Sequence, residues 1–129
     1  MSASKQQAIS TPDAPAPVAS YSQAIVRNDT IYCSGMVGLD VATNTLVSGG
    51  VFEQTHQLLR NMGVILKASG SSYENVLKVN IFITTMDHFA AMNEAYKDYF
   101  TAPLPARTCV AVRELPLGAL VEMECTAFK

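Results

Sequence analysis

Hydrophobic positions along this chain change period several times, and each change marks an element. Between Val51 and Ser69, Leu58, Met62, Ile65 and Leu66 recur at helical spacing, and Gly70 follows as a left-handed stop. From Val76 to Thr84 the pattern alternates: Val79, Ile81 and Ile83 face one way, Lys78, Asn80 and Thr84 the other. Such alternation predicts a half-buried strand, with Phe82 on its more polar face. The helical period returns from Asp87 to Phe100. Asp87 is placed as an N-cap, and Phe89, Met92, Tyr96, Tyr99 and Phe100 form an apolar stripe that Pro103 and Pro105 end.

Shorter signals fill the remainder. Met1 to Ser20 is rich in Ala, Pro, Ser and Gln, and Pro12, Pro15 and Pro17 forbid a helix there. We read residues 1–18 as an N-terminal segment partly docked on the domain through a short strand near Ala8 to Ser10, and residues 19–129 as the domain itself. Ala24 to Arg27 and Thr30 to Ser34 read as strands around an Asn28-Asp29 turn. Gly35 and Gly38 mark a place where backbone bends or comes close to something. Thr43-Asn44-Thr45 is another turn, with Leu39 and Leu46 on its arms. Thr108 to Arg113 and Ala119 to Phe128 are the last strands, joined through Glu114 to Gly118. This order predicts an α+β domain in which two helices cover one face of a sheet of about five or six strands. The other face keeps Phe82, Leu120 and Phe128, so a second subunit is expected to cover it.

Composition narrows the class. At 129 residues the chain is expected to be one domain, and with 49% apolar and 16% charged residues it has a real core to bury. Its longest apolar runs, such as Val110 to Val112, are far too short to span a bilayer. No apolar signal-peptide segment follows the polar start, and Asp13 and the late first Arg, Arg27, argue against a transit peptide. The net charge of -2, without any basic cluster, argues against nucleic acid as a partner. Cys33, Cys109 and Cys125 are odd in number and lack metal-ligand spacing, which points to a reduced, cytoplasmic protein; a mitochondrial pool stays open.

Candidate chemistry concentrates near the C-terminus, in Pro105-Ala106-Arg107-Thr108-Cys109 and the later run carrying Glu122. A guanidinium fork donates two parallel hydrogen bonds to a carboxylate, and a nearby Glu can hold and activate a water. Together they suggest a pocket for a small organic acid that reacts with water. If the last two strands pair through the Pro116 turn, Arg107 lies near Glu122 or Glu124 at one end of a hairpin. A structural cross-strand salt bridge would use the same residues. Cys109 shares the face of Arg107, but neither His56 nor His88 is placed to make it a thiolate, and a packed, inert thiol is the simpler reading. Two isolated histidines do not make a metal site. Asn93 borders the apolar stripe, and Tyr21 and Ser34 flank the first strands, where either could donate a hydrogen bond to a ligand.

Several ordered segments resemble the Rid (YjgF/YER057c/UK114) family, and its RidA subfamily in particular. They are Tyr21-Ser22-Gln23-Ala24, Ile31 to Gly35, Leu46 to Val51, Asn61-Met62-Gly63, Phe89 through Asn93 to Tyr96 and Phe100, Pro105-Ala106-Arg107 and Val121 to Glu124. The likeness runs from about Ile9 to Phe128. It implies a chorismate-mutase-like fold with a mixed sheet of about six strands and two helices on one face. It also implies a homotrimer with sites between subunits, no cofactor and no metal. The implied activity is hydrolysis of 2-iminobutanoate and 2-iminopropanoate, released by PLP-dependent dehydratases, to 2-keto acids and ammonia. In that chemistry Arg107 clamps the substrate carboxylate, Glu122 positions the water, and the backbone around Cys109 orients both. Tyr21, Ser34 and Asn93 match positions lining the cleft. This chain departs from the family at Met36, commonly Gln, and at Ala19-Ser20, commonly Gly-Pro, which bears on substrate range. Some RidA-like proteins have been described as translation inhibitors that cleave single-stranded RNA. A cleft that only binds metabolites or unfolded chains is the non-enzymatic alternative.

Overall fold

A computed structural model describes residues 5–129; the first four residues of the N-terminal segment lie outside the described residues. Among the described residues, eight strands and two α-helices follow in chain order: β1 (Gln7–Ile9), β2 (Ala24–Arg27), β3 (Thr30–Met36), β4 (Leu39–Asp40), β5 (Thr45–Leu46), α1 (Val51–Ala68), β6 (Val76–Ile83), α2 (Phe89–Tyr96), β7 (Ala106–Ala111) and β8 (Val121–Phe128). Six strands form one sheet in the order β1-β2-β3-β8-β6-β7, and β4 and β5 make a separate hairpin. Every pairing in the large sheet is antiparallel except β6 with β7, so the sheet is mixed.

Local chemistry accounts for the connections. Asn28 and Asn44 adopt positive φ, 55° and 58°, in the turns joining β2 to β3 and β4 to β5, a conformation Asn tolerates better than most residues. Gly70, with φ 84°, ends α1 as its sequence position predicts. The second helix differs from expectation. Asp87 is not its cap: Thr85 Oγ1 accepts from the Asp87 amide at 3.2 Å, opening a short 3₁₀ turn (Met86–His88) that leads into α2. The threonine hydroxyl two residues upstream caps the turn by accepting from the amide of Asp87 itself, so the Asp is inside the turn and not at its start.

The helices cover the face carrying Val79, Ile81 and Ile83 of β6 and Val121, Met123 and Ala127 of β8, all fully buried. Leu58, Leu59, Met62 and Leu66 of α1 and Met92 of α2 complete that core. Burying each such side chain is worth about 1.5–3 kcal/mol. Phe82 lies on the opposite face, opposed to Glu122 across the β6–β8 pair, as the alternation predicts. That face is only partly covered within one chain: Phe82 and Leu120 are half-buried, and Phe128 and Tyr32 are exposed.

A second expectation, the C-terminal hairpin, also fails. β7 and β8 do not form a hairpin: β7 runs parallel to β6, with Val79 opposite Arg107, while β8 lies antiparallel between β6 and β3. The strand β6 takes the place between them. β7 follows β6 through α2, a helical crossover of the kind that delivers a parallel neighbour. The segment Glu114 to Ala119 is therefore not a tight turn but a connection across an intervening strand, and Leu117 within it adopts φ 63°.

Candidate functional site

The six candidate residues fall into two groups. Tyr21, Ser34 and Glu122 line one cleft of about 540 Å³, together with Glu124. The prolyl arm from Pro15 to Ala19 and Leu117 wall it. Arg107, Cys109 and Asn93 do not line it.

In the cleft, the backbone aims the polar groups. β3 carries a bulge: Cys33 pairs with Cys125 and Met36 with Met123, so Ser34 and Gly35 together oppose a single residue of β8. The Ser34 hydroxyl donates to the Ser22 carbonyl at 2.6 Å, which fixes its oxygen at the cleft edge. Gly35 is where the predicted close approach occurs: a Cβ there would stand 2.8 Å from Glu122 Oε2. Its partner in the sequence reading, Gly38, serves a structural approach instead, with the backbone of Gln54 in α1 against it. Burial, and then the neighbouring charge of Glu124, push the Glu122 carboxyl above the usual carboxylate range. Asn80 Nδ2 donates to Glu124 Oε2 at 3.0 Å, holding the second carboxylate in place. Tyr21 is exposed, and its hydroxyl accepts from the Val18 amide at 3.3 Å.

The other group lies at the sheet edge, on the helix-covered face. Arg107 pairs with Val79 and Cys109 with Ile81, so both point toward α2. The Arg107 guanidinium sits over the ring of Tyr96, 4.9 Å from its centroid, and 5.7 Å from that of Phe89. Phe89, Asn93 and Tyr96 share one face of α2 by their spacing. Asn93 Oδ1 and the Tyr96 hydroxyl are buried without a hydrogen-bond partner. Burial raises the Cys109 thiol, against a smaller opposing effect of Arg107, so a neutral, packed sulfhydryl is the form expected at neutral pH. Among the described residues no three His, Cys, Asp or Glu side chains gather as metal ligands.

The expected proximity of Arg107 to Glu122 is thus overturned. They project from opposite faces of the sheet, on strands separated by β6. In the sequence Phe89 and Tyr96 stand in an apolar stripe and Glu124 as a possible ion-pair partner, and none of the three is a candidate site residue there. Their spacing about Asn93 and Glu122 was the available signal.

The chain is thus a small α+β protein with a cleft lined by Glu122 and Glu124 and, apart from it, an arginine at the sheet edge. It belongs to the family described as Endoribonuclease L-PSP, which matches residues 11–129. It is 46% identical over 127 residues to the 2-iminobutanoate/2-iminopropanoate deaminase of Mus musculus, covering 98% of this chain and 94% of that protein. Among solved structures, yeast Mmf1 superposes with a TM-score of 0.92 at 39% identity, covering 97% of this chain and 99% of that one. The E. coli protein TdcF with bound serine superposes with a TM-score of 0.88 at 29% identity, covering 95% and 98% of the two chains.

Proposed function

We propose that this protein hydrolyses short 2-imino acids, 2-iminopropanoate and 2-iminobutanoate, to 2-keto acids and ammonia. The observation that carries this reading is a pair of complementary half-sites, one cationic and one carboxylate, in a chain similar over nearly its whole length to a deaminase of that name. Arg107 binds the substrate carboxylate through both arms of its fork. The rings of Tyr96 and Phe89, 4.9 and 5.7 Å from the guanidinium carbon, hold the head group at the sheet edge. Glu122, with its raised pKa, takes a proton from water as the oxygen attacks the imine carbon, and returns it to nitrogen. Collapse of the carbinolamine then releases ammonia and leaves the keto group. The imine carbon is electrophilic already, so the step asks for no cofactor. Tyr21 and Ser34 line the water side, while Asn93 and the backbone at Cys109 orient the carboxylate side.

Because Arg107 and Glu122 face apart within one chain, the complete site forms between copies: the cleft of one subunit meets the arginine edge of its neighbour. We take the assembly to be a homotrimer, which also covers Phe82 and Phe128. No helix among the described residues is long and apolar enough to cross a membrane. The three free cysteines fit a reducing compartment, the cytoplasm in our reading.

RNA cleavage fits the cleft less well. Glu122 and Glu124 would repel a phosphodiester, and His56 lies on α1 bonded to Tyr99, away from the cleft. The test generates each imine in situ with an amino-acid oxidase and lets semicarbazide compete for it. Wild type should suppress the semicarbazone, and Arg107→Ala should lose about 100-fold or more in kcat/KM, the worth of two charge-assisted hydrogen bonds. An unsuppressed adduct with wild type would end the deaminase reading, and full activity in the variant would end the clamp.

A further inference from the structure

Gln23 is buried in the lining of the carboxylate cleft, yet the proposed chemistry gives it no part. Its carboxamide is spent entirely on the arm that walls the cleft. Oε1 accepts from the Thr11 amide at 2.8 Å, and Nε2 donates to the carbonyls of Thr11 and Pro15 at 3.1 and 3.0 Å, with the Ala14 carbonyl at 3.5 Å. The arm needs such a partner. Pro12, Pro15 and Pro17 lack amide hydrogens and keep the segment out of a ladder, while its remaining polar groups must be satisfied where they are buried. Gln23 acts on Thr11 as a strand neighbour would, pairing with its N–H and its C=O at once. Ala14 is pressed into the core beside it. The Tyr21 hydroxyl holds the far end through the Val18 amide. Pro15, Ala16 and Val18, so pinned, line the same cleft as Glu122 and give it apolar surface. Val18 itself is 62% exposed, so its packing in the core does not explain its presence there.

We propose that Gln23 is a positioning residue for specificity: by pinning the arm it sets the apolar wall against which the substrate's side chain packs. This deepens the deaminase reading and rests on it. Side-chain discrimination then lies with the arm, while carboxylate binding and water activation lie with Arg107 and Glu122.

Two variants test the assignment. Gln23→Leu keeps the size of the side chain and removes its hydrogen bonds. Val18→Ala trims the wall at an exposed position where folding is not at stake. The readouts are hydrogen exchange over residues 10–19 and the ratio of kcat/KM for a bulky imino acid, made from leucine, to that for 2-iminopropanoate. Gln23→Leu should speed exchange at the Thr11 amide and lower the bulky-to-small ratio about tenfold, mainly through KM. Val18→Ala should lower the ratio with the arm still protected. An arm as protected in Gln23→Leu as in wild type overturns the pinning. An unchanged ratio in both variants overturns the wall. Failure of wild type on both imines would instead sink the deaminase reading, and this specificity role with it, whatever the exchange shows. If Gln23→Leu does not fold, exchange at the Thr11 amide of wild type decides the pinning, unprotected exchange overturning it, and Val18→Ala decides the wall.

Discussion

The opposed orientation of Arg107 and Glu122 can be tested by mixing subunits. β7 and β8 stand two strand spacings apart, at about 4.8 Å each, and Arg107 is level with Cys125, three residues from Glu122, or roughly 10 Å along the strand. Their Cα atoms are therefore on the order of 14 Å apart with side chains on opposite faces, so no rotamer change brings them together across β6. A site that uses both takes them from different copies. Arg107→Ala chains keep Glu122, and Glu122→Gln chains keep Arg107. When the two are unfolded together and reassembled in equal amounts, a site is intact only where an arginine edge of one kind meets a cleft of the other. Random assembly makes that about a quarter of sites, so about a quarter of wild-type deaminase activity should return from two inactive proteins. The semicarbazide competition reads the recovery, and mass spectrometry of the intact assemblies confirms that mixed species formed. Mixed assemblies with no more activity than either parent would refute the shared site and require both groups to act within one chain or not at all.

Further outcomes follow from the same geometry. Glu122 has a raised pKa in the folded chain, so its contribution to stability is present below the ordinary carboxylate pKa and is lost as pH rises through the folded value. Glu122→Gln should therefore melt higher than wild type at neutral pH, with the difference vanishing near pH 4, and a lower Tm at pH 7 would contradict the shift. For the same reason the acid limb of the wild-type pH–rate profile should lie above pH 4.5, the unperturbed carboxyl value. Gly35→Ala places a methyl against the Glu122 carboxylate and should cut kcat at least tenfold while far-UV circular dichroism is unchanged; wild-type turnover would show the close approach is not needed. Gly63→Ala ought to help a helix by propensity, yet its methyl would collide with Tyr73, whose hydroxyl donates to the Leu59 carbonyl at 2.6 Å. We expect a loss of about 1–3 kcal/mol in chemical denaturation, and a gain would mean that Tyr73 moves aside freely.

Much of this molecule is determined by local pattern. The apolar period alone places α1, β6 and β8 within a residue or two, because the faces of those elements are decided by spacing that is visible in the chain. Asn28, Asn44 and Gly70 announce their turns through backbone freedom that few other residues share. The candidate residues Arg107 and Glu122 stand in short contiguous segments, Pro105-Ala106-Arg107 and Val121 to Glu124, which is why the sequence alone can nominate them. What the sequence alone could not decide was which strands become neighbours. Consecutive strands pair often enough that a β7–β8 hairpin was the natural expectation, yet β6 stands between them. That choice puts Arg107 beneath α2 and Glu122 on the open face, so the single pocket expected from a hairpin does not form within one chain. The bulge at Ser34 and Gly35 and the hold of Gln23 on the prolyl arm are decided at the same level. Each rests on contacts between residues far apart in the chain, and periodicity carries information about which face a residue takes but none about which strand it will lie beside.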